Sequence, residues 1–172
     1  MYQAGYAFGQ IFAFLLFLVP SVFFLLTQQN TLKAIRRDNR RLRPGLVWLQ
    51  LIPIFNLYWM FIVVTRIADS IYKEHSSLTD DSILGVADPD AAEGFGKRPT
   101  YRIGIAYCLL NLLIPLLIIT IDMFTSTIVM IPTLYKMLGF VLGFVCLAVI
   151  TCWIIYWVKL AGEKRKLQYL QA

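Results

Sequence analysis

At 172 residues the chain suits a single domain, but 59% of it is hydrophobic and its mean hydropathy is +0.67. An ordinary globular domain is roughly 45–50% apolar. The formal net charge is +6, and the basic residues flank apolar blocks. That placement assigns them to membrane orientation and lipid head groups, and it excludes nucleic acid as the expected partner.

The apolar residues gather in four blocks, at about residues 6–26, 46–64, 103–124 and 137–158. Each is close to the roughly 20 residues that carry a helix through a hydrocarbon core about 30 Å thick. Backbone in lipid has to satisfy its own hydrogen bonds, so the expected fold is all-α: one membrane helical bundle over residues 1–172. The N-terminus lacks a basic n-region. Block one is too long for a signal core and has no small-residue cleavage site, which predicts a retained anchor. Within this block Gly5 and Gly9 have the small-xxx-small spacing that lets membrane helices approach closely.

Residues 27–45 are polar and basic, with Lys33, Arg36, Arg37, Arg40, Arg41 and Arg43. They are expected to form a short interfacial helix or an extension of block one, broken by Pro44-Gly45. Asp38 is placed to pair with Arg37 or Arg41. The cluster marks the cytoplasmic side and suits anionic lipid head groups.

Block two has Pro53 and Asn56 near its middle, with Gln50 before them. Proline removes a helical hydrogen bond and disfavours helix at Ile52, and Asn56 is costly in lipid without a partner. A broken segment that dips into the membrane and returns is expected here. The helix is expected to continue to about Glu74, with Arg66–Asp69 and Asp69–Lys73 as local ion pairs. Residues 75–100 are acidic and rich in Gly and Pro, which predicts a mobile loop. Asp88-Pro-Asp90 begins like a calcium loop, but the later ligands and the glycine do not follow. His75 is the single histidine, and no metal set is expected.

Block three holds Asn111, Pro115 and Asp122. Block four carries Gly139 and Gly143 at small-xxx-small spacing. Cys108, Cys146 and Cys152 all lie in apolar blocks without the spacing of a metal site.

Positive residues collect on the cytoplasmic side. With four full spans they would divide seven against nine, which sets no orientation. If block two enters and returns, all but one of the 16 Lys and Arg residues share a side, Lys136 being the exception. Three spans plus a re-entrant segment is therefore the expected topology, with the C-terminus cytoplasmic. Four spans is the alternative.

The stretch from Arg43 to Trp59, with Pro44-Gly45, Trp48, Ile52-Pro53 and Asn56, followed by Ile67-Ala68-Asp69-Ser70, resembles a loose group of small bacterial membrane proteins of unknown function. These share a Pro-Gly-x-x-Trp…Ile-Pro-x-x-Asn core and a following amphipathic helix. The resemblance covers about residues 43–72. It implies a bacterial cytoplasmic-membrane setting and brings no activity with it.

Catalysis needs a nucleophile, a base and a charge stabiliser brought together. The polar residues inside the blocks, Gln50, Asn56, Asn111, Thr120 and Asp122, do not supply them. No enzyme activity and no cofactor are expected. The expectation is an accessory subunit or lipid-interacting scaffold, in contact with anionic lipid and with other membrane subunits or further copies of itself. A small oligomeric transporter or channel is the alternative.

Overall fold

The computed structural model describes residues 2–81, 98–127 and 132–170, and helix is the only regular structure among them. Four α-helices follow one another: α1 (Tyr2–Ala34), α2 (Pro53–Asp81), α3 (Tyr101–Thr127) and α4 (Pro132–Leu170). Among the described residues, three stretches are long and apolar enough to cross a membrane: Pro53–Leu78, Tyr101–Met123 and Lys136–Tyr169. α1 is 33 residues long and carries no charge before Lys33. The protein is an all-α membrane bundle.

α1 runs through the first block and on into the basic segment as one helix, with Pro20 inside it. The chain then leaves the helix after Ala34 rather than at Pro44, and a short 3₁₀ turn follows at Arg37–Asn39. Arg40 stabilises this exit. Its Nε donates to the Ile35 carbonyl at 2.7 Å and an Nη to the Lys33 carbonyl at 2.8 Å. A cation is favourable where the last carbonyls of a helix lack partners.

Block two is not one helix. Pro44–Leu51 forms an eight-residue 3₁₀ helix, and α2 begins at Pro53. Proline suits the first helical position, where its missing N–H would have had no partner. The two limbs lie side by side: the Trp59 indole N–H donates to the Leu46 carbonyl at 2.8 Å. Further up, the Arg41 N–H donates to the Ser70 hydroxyl at 2.8 Å. The segments before and after the block therefore emerge at the same end of the bundle. At about 2 Å per residue, the 3₁₀ limb is about 16 Å long. α2 has the length and composition of a span, but it starts at the tip of this hairpin and its second half folds into the polar end.

α2 extends to Asp81, further than Glu74, so residues 75–81 of the expected loop are helical. Leu78 packs against the core, and His75 is held by α4 at 3.1 Å. The rest of the expected loop, residues 82–97, lies outside the described residues.

α1 and α4 run parallel. Phe24 meets the rings of Trp153 and Tyr156, and the Trp157 indole N–H donates to the Thr27 hydroxyl at 2.8 Å. α2 and α3 run antiparallel: Val64 lies against Gly104, and Asp69 pairs with Arg98 at 3.2 Å. Gly104 sits so close to α2 that an added Cβ would overlap Val64 Cγ1 and come within 3.0 Å of Tyr156.

The buried core is concentrated at the polar end. Leu32, Val47, Val63, Ile67, Leu160 and Leu167 all belong to it. For Leu32, Ile67, Leu160 and Leu167, which lie outside the apolar blocks, water is the competing environment, so each contributes about 1.5–3 kcal/mol on burial. Towards the other end, α3 and α4 expose Leu116, Ile119, Phe140 and Phe144, as helices facing lipid do.

Candidate functional site

The polar end is organised by one buried carboxylate. Glu74 is fully buried on the α2 stripe that also carries Ile67, Ser70, Ile71 and Leu78. The Asn39 side-chain amide donates to Glu74 Oε2 at 2.7 Å and to the Ser77 hydroxyl at 2.9 Å. The Arg36 backbone N–H donates to Oε2 at 3.2 Å, and its guanidinium lies 3.5 Å from Oε1. The Lys73 ammonium donates to the Asp38 carbonyl at 2.8 Å. These bonds fasten the turn after α1 to α2. The local ion pairs expected from spacing give way to longer-range ones: Asp69 turns to Arg98, and Lys73 to the Asp38 backbone.

A second polar contact joins α2 to α4. His75 Nε2 lies 3.1 Å from Glu163 Oε2, and Lys166 lies 3.1 Å from Glu163 Oε1. Glu163 stands on the polar turns beyond the apolar stretch of α4.

The six basic residues of the first connection do different work. Arg36 meets Glu74, and Arg40 closes the end of α1. Lys33, Arg37, Arg41 and Arg43 leave their side chains exposed at the surface. Together they form the basic face of the turn after α1.

Below this face, at the tip of the hairpin, a cleft of about 620 Å³ opens between α1, α3 and α4. Three of the four predicted intramembrane polar residues line it together: Gln50, Asn56 and Asn111. The fourth, Asp122, lies exposed further along α3 and outside the cleft. The walls are apolar and aromatic, with Leu18 and Phe24 from α1, Tyr107 from α3 and Ile150 and Trp153 from α4. Tyr107 and Trp153 were not singled out by sequence, where aromatic residues in spans are too common to stand out.

The amides are held by their neighbours. Gln50 Nε2 donates to Gln28 Oε1 at 2.6 Å and to the Val47 carbonyl at 3.2 Å. Asn111 Nδ2 donates to the Tyr107 carbonyl at 3.2 Å. Trp48 donates to Gln29 Oε1 at 3.3 Å, so two adjacent glutamines of α1 pin the descending limb. Asn56 bonds through its backbone N–H to the Ile52 carbonyl, and its side-chain amide makes no hydrogen bond among the described residues.

Gly139 and Gly143 lie on the outer face of α4. A Cβ on either would meet nothing within 4 Å, so they pack no helix of this chain among the described residues. The surroundings of Gly5 and Gly9 lie outside the described residues. Cys108 is buried in the core at the α3 side, and no group of three or more metal-ligating side chains occurs among the described residues.

No protein-family model matches the chain, and neither a curated protein nor a solved structure is detectably similar to it.

Proposed function

We propose that the protein is a lipid-interacting scaffold or accessory subunit of the bacterial cytoplasmic membrane, with its C-terminus in the cytoplasm and no chemistry of its own. The observation that carries this is the basic face. Lys33, Arg37, Arg41 and Arg43 are exposed around a turn that hydrogen bonds hold rigid. A fixed array of cations at the hydrocarbon boundary attracts anionic head groups at about 1 kcal/mol per suitably placed side chain. The same charge asymmetry supports the cytoplasmic orientation. The bacterial setting rests on the resemblance of residues 43–72. The open face of α4, where Gly139 and Gly143 stand between exposed Phe140 and Phe144, supports contact with a neighbouring subunit or a second copy.

Lipid retention tests this. Protein purified in mixed micelles of phosphatidylglycerol and phosphatidylcholine is expected to keep phosphatidylglycerol selectively. Replacing Lys33, Arg37, Arg41 and Arg43 by Gln should reduce that preference at least about tenfold while leaving the melting temperature unchanged. An unaltered preference would remove the basic face as a lipid site.

The cleft favours a second reading, a small oligomeric transporter, because broken helices near mid-depth build substrate sites. It predicts solute flux in reconstituted vesicles, abolished by Asn56→Leu. Wild-type vesicles that stay tight to small solutes would end it.

A further inference from the structure

We infer that the cleft at the hairpin tip is a binding site for a neutral lipid bearing a free hydroxyl group. The inference is independent of the basic face, which lies about 14 Å higher along the 3₁₀ limb at about 2 Å per residue from Arg43 to Gln50.

Chemistry sets the class of ligand. Among the described residues no Asp, Glu, Lys, Arg or His lines the cleft, which suits a ligand that carries no charge there. Its volume of about 620 Å³ falls inside the roughly 300–1,000 Å³ of small-molecule sites, which are mostly apolar with a few placed polar groups. The placed groups are the carboxamides of Gln50, Asn56 and Asn111.

Their hydrogen bonds fix which end of each is available. Gln50 and Asn111 each donate to a backbone carbonyl, so the bonded atom is nitrogen and the oxygen is the end left for another partner. Asn56 offers both a donor and an acceptor. The cleft thus presents acceptors at Gln50 and Asn111 and both a donor and an acceptor at Asn56, and a ligand O–H, which donates and accepts, answers both kinds where a purely ester or ether lipid only accepts. An unpaired amide in hydrocarbon is costly, so the Gln50 and Asn111 oxygens and the Asn56 amide favour such a ligand over a saturated chain. The apolar rows of α1 and α4 take its tail, and Tyr107 and Trp153 give it a flat wall.

Two kinds of lipid carry this chemistry: glycerides with a free hydroxyl, and ring lipids with a phenolic one. Full-length protein in phosphatidylcholine nanodiscs, where no anionic lipid engages the basic face, is titrated separately with labelled dioctanoylglycerol and decylhydroquinone. Saturable binding of one of them is expected. The same probe acetylated at its hydroxyls should bind about tenfold more weakly, the loss of roughly one hydrogen bond. Asn56→Leu should weaken binding by a similar factor without changing the melting temperature, since that amide has no partner to lose. Ile150→Trp, which fills the cleft and leaves the amides alone, should abolish it. A preference for the glyceride or for the ring compound identifies the source, and either supports the site. Absence of saturable binding by both, equal binding of the acetylated probe, or undiminished binding in both variants overturns it. Wild-type protein that shows no phosphatidylglycerol preference but binds the cleft probe would fail the proposed function while leaving this inference standing.

Discussion

Replacing Glu74 by Ala should unfasten the hairpin of Pro44–Leu51 and α2 and lower the melting temperature by on the order of 10 °C. The carboxylate is fully buried and receives hydrogen bonds from the Asn39 side chain and the Arg36 backbone. Removing it leaves the buried Asn39 amide with the Ser77 hydroxyl as its acceptor and takes a carboxylate from beside the Arg36 guanidinium. Breaking a buried, hydrogen-bonded charge pair costs about 3–5 kcal/mol. The Arg36 side chain is 46% exposed, so solvent screens part of the ion pair and about 3 kcal/mol is the appropriate end of that range. Each kcal/mol shifts the melting temperature by roughly 2–4 °C at this chain length. Glu74→Gln keeps an acceptor for Asn39 and loses only the charge, so it should cost about half as much. Thermal unfolding of the purified protein, followed by circular dichroism, checks both. Equal melting temperatures for wild type and Glu74→Ala would show that the turn is held by packing instead.

Gly104→Ala should be nearly as damaging, for a different reason. A methyl at this position overlaps Val64 Cγ1 and presses on Tyr156. Both neighbours are fully buried, and valine in a helix has essentially one χ1 rotamer. Neither side chain can swing away, so α2 and α3 must separate. Overpacking of this kind costs about 1–3 kcal/mol. Separation would also strain the Asp69–Arg98 pair, which bridges the same two helices at 3.2 Å. The sharper test is compensation. Val64→Ala alone leaves a cavity and destabilises, but combined with Gly104→Ala it removes the clash. The double variant should be more stable than the sum of the single effects allows, with a coupling energy of about 1 kcal/mol or more. Strict additivity would mean that the two residues do not touch in the membrane.

The four apolar blocks were legible because lipid imposes a length and a composition that no packing detail can hide. The hairpin was legible less directly. Pro53 marked a break, and the imbalance of positive charge chose between crossing and returning. Hydrogen bonds between Leu46 and Trp59 and between Arg41 and Ser70 fold the chain back on itself at this break. Gln50, Asn56 and Asn111 could be picked as candidates because an amide in an apolar run is conspicuous. That they meet at one cleft depends on the register between helices, which no local pattern specifies. Glu74 was hidden for the opposite reason: among charged neighbours it looked like an ordinary solvated helix end. Its signal was position, one turn beyond Ile67, Ser70 and Ile71 on a single stripe. Gly104 had no signal at all, because what makes it necessary is Val64, forty residues away. Asp122 was conspicuous in the same way as the amides, yet it lies outside the cleft, so polarity within a span locates candidates without assigning them to a site.

The bonds that close the hairpin join residues 13 to 38 positions apart, and none of them involves α3 or α4. Synthesis proceeds at about 5–20 residues per second and earlier segments fold first. The turn can therefore lock onto α2 seconds before the last helix leaves the ribosome. What α3 and α4 then encounter is a finished template, offering Val64 for Gly104, Thr27 for Trp157 and His75 for Glu163. Assembly in this order lets the early half of the chain act as a guide for inserting the late half, so that the final two spans need only recognise a surface already built.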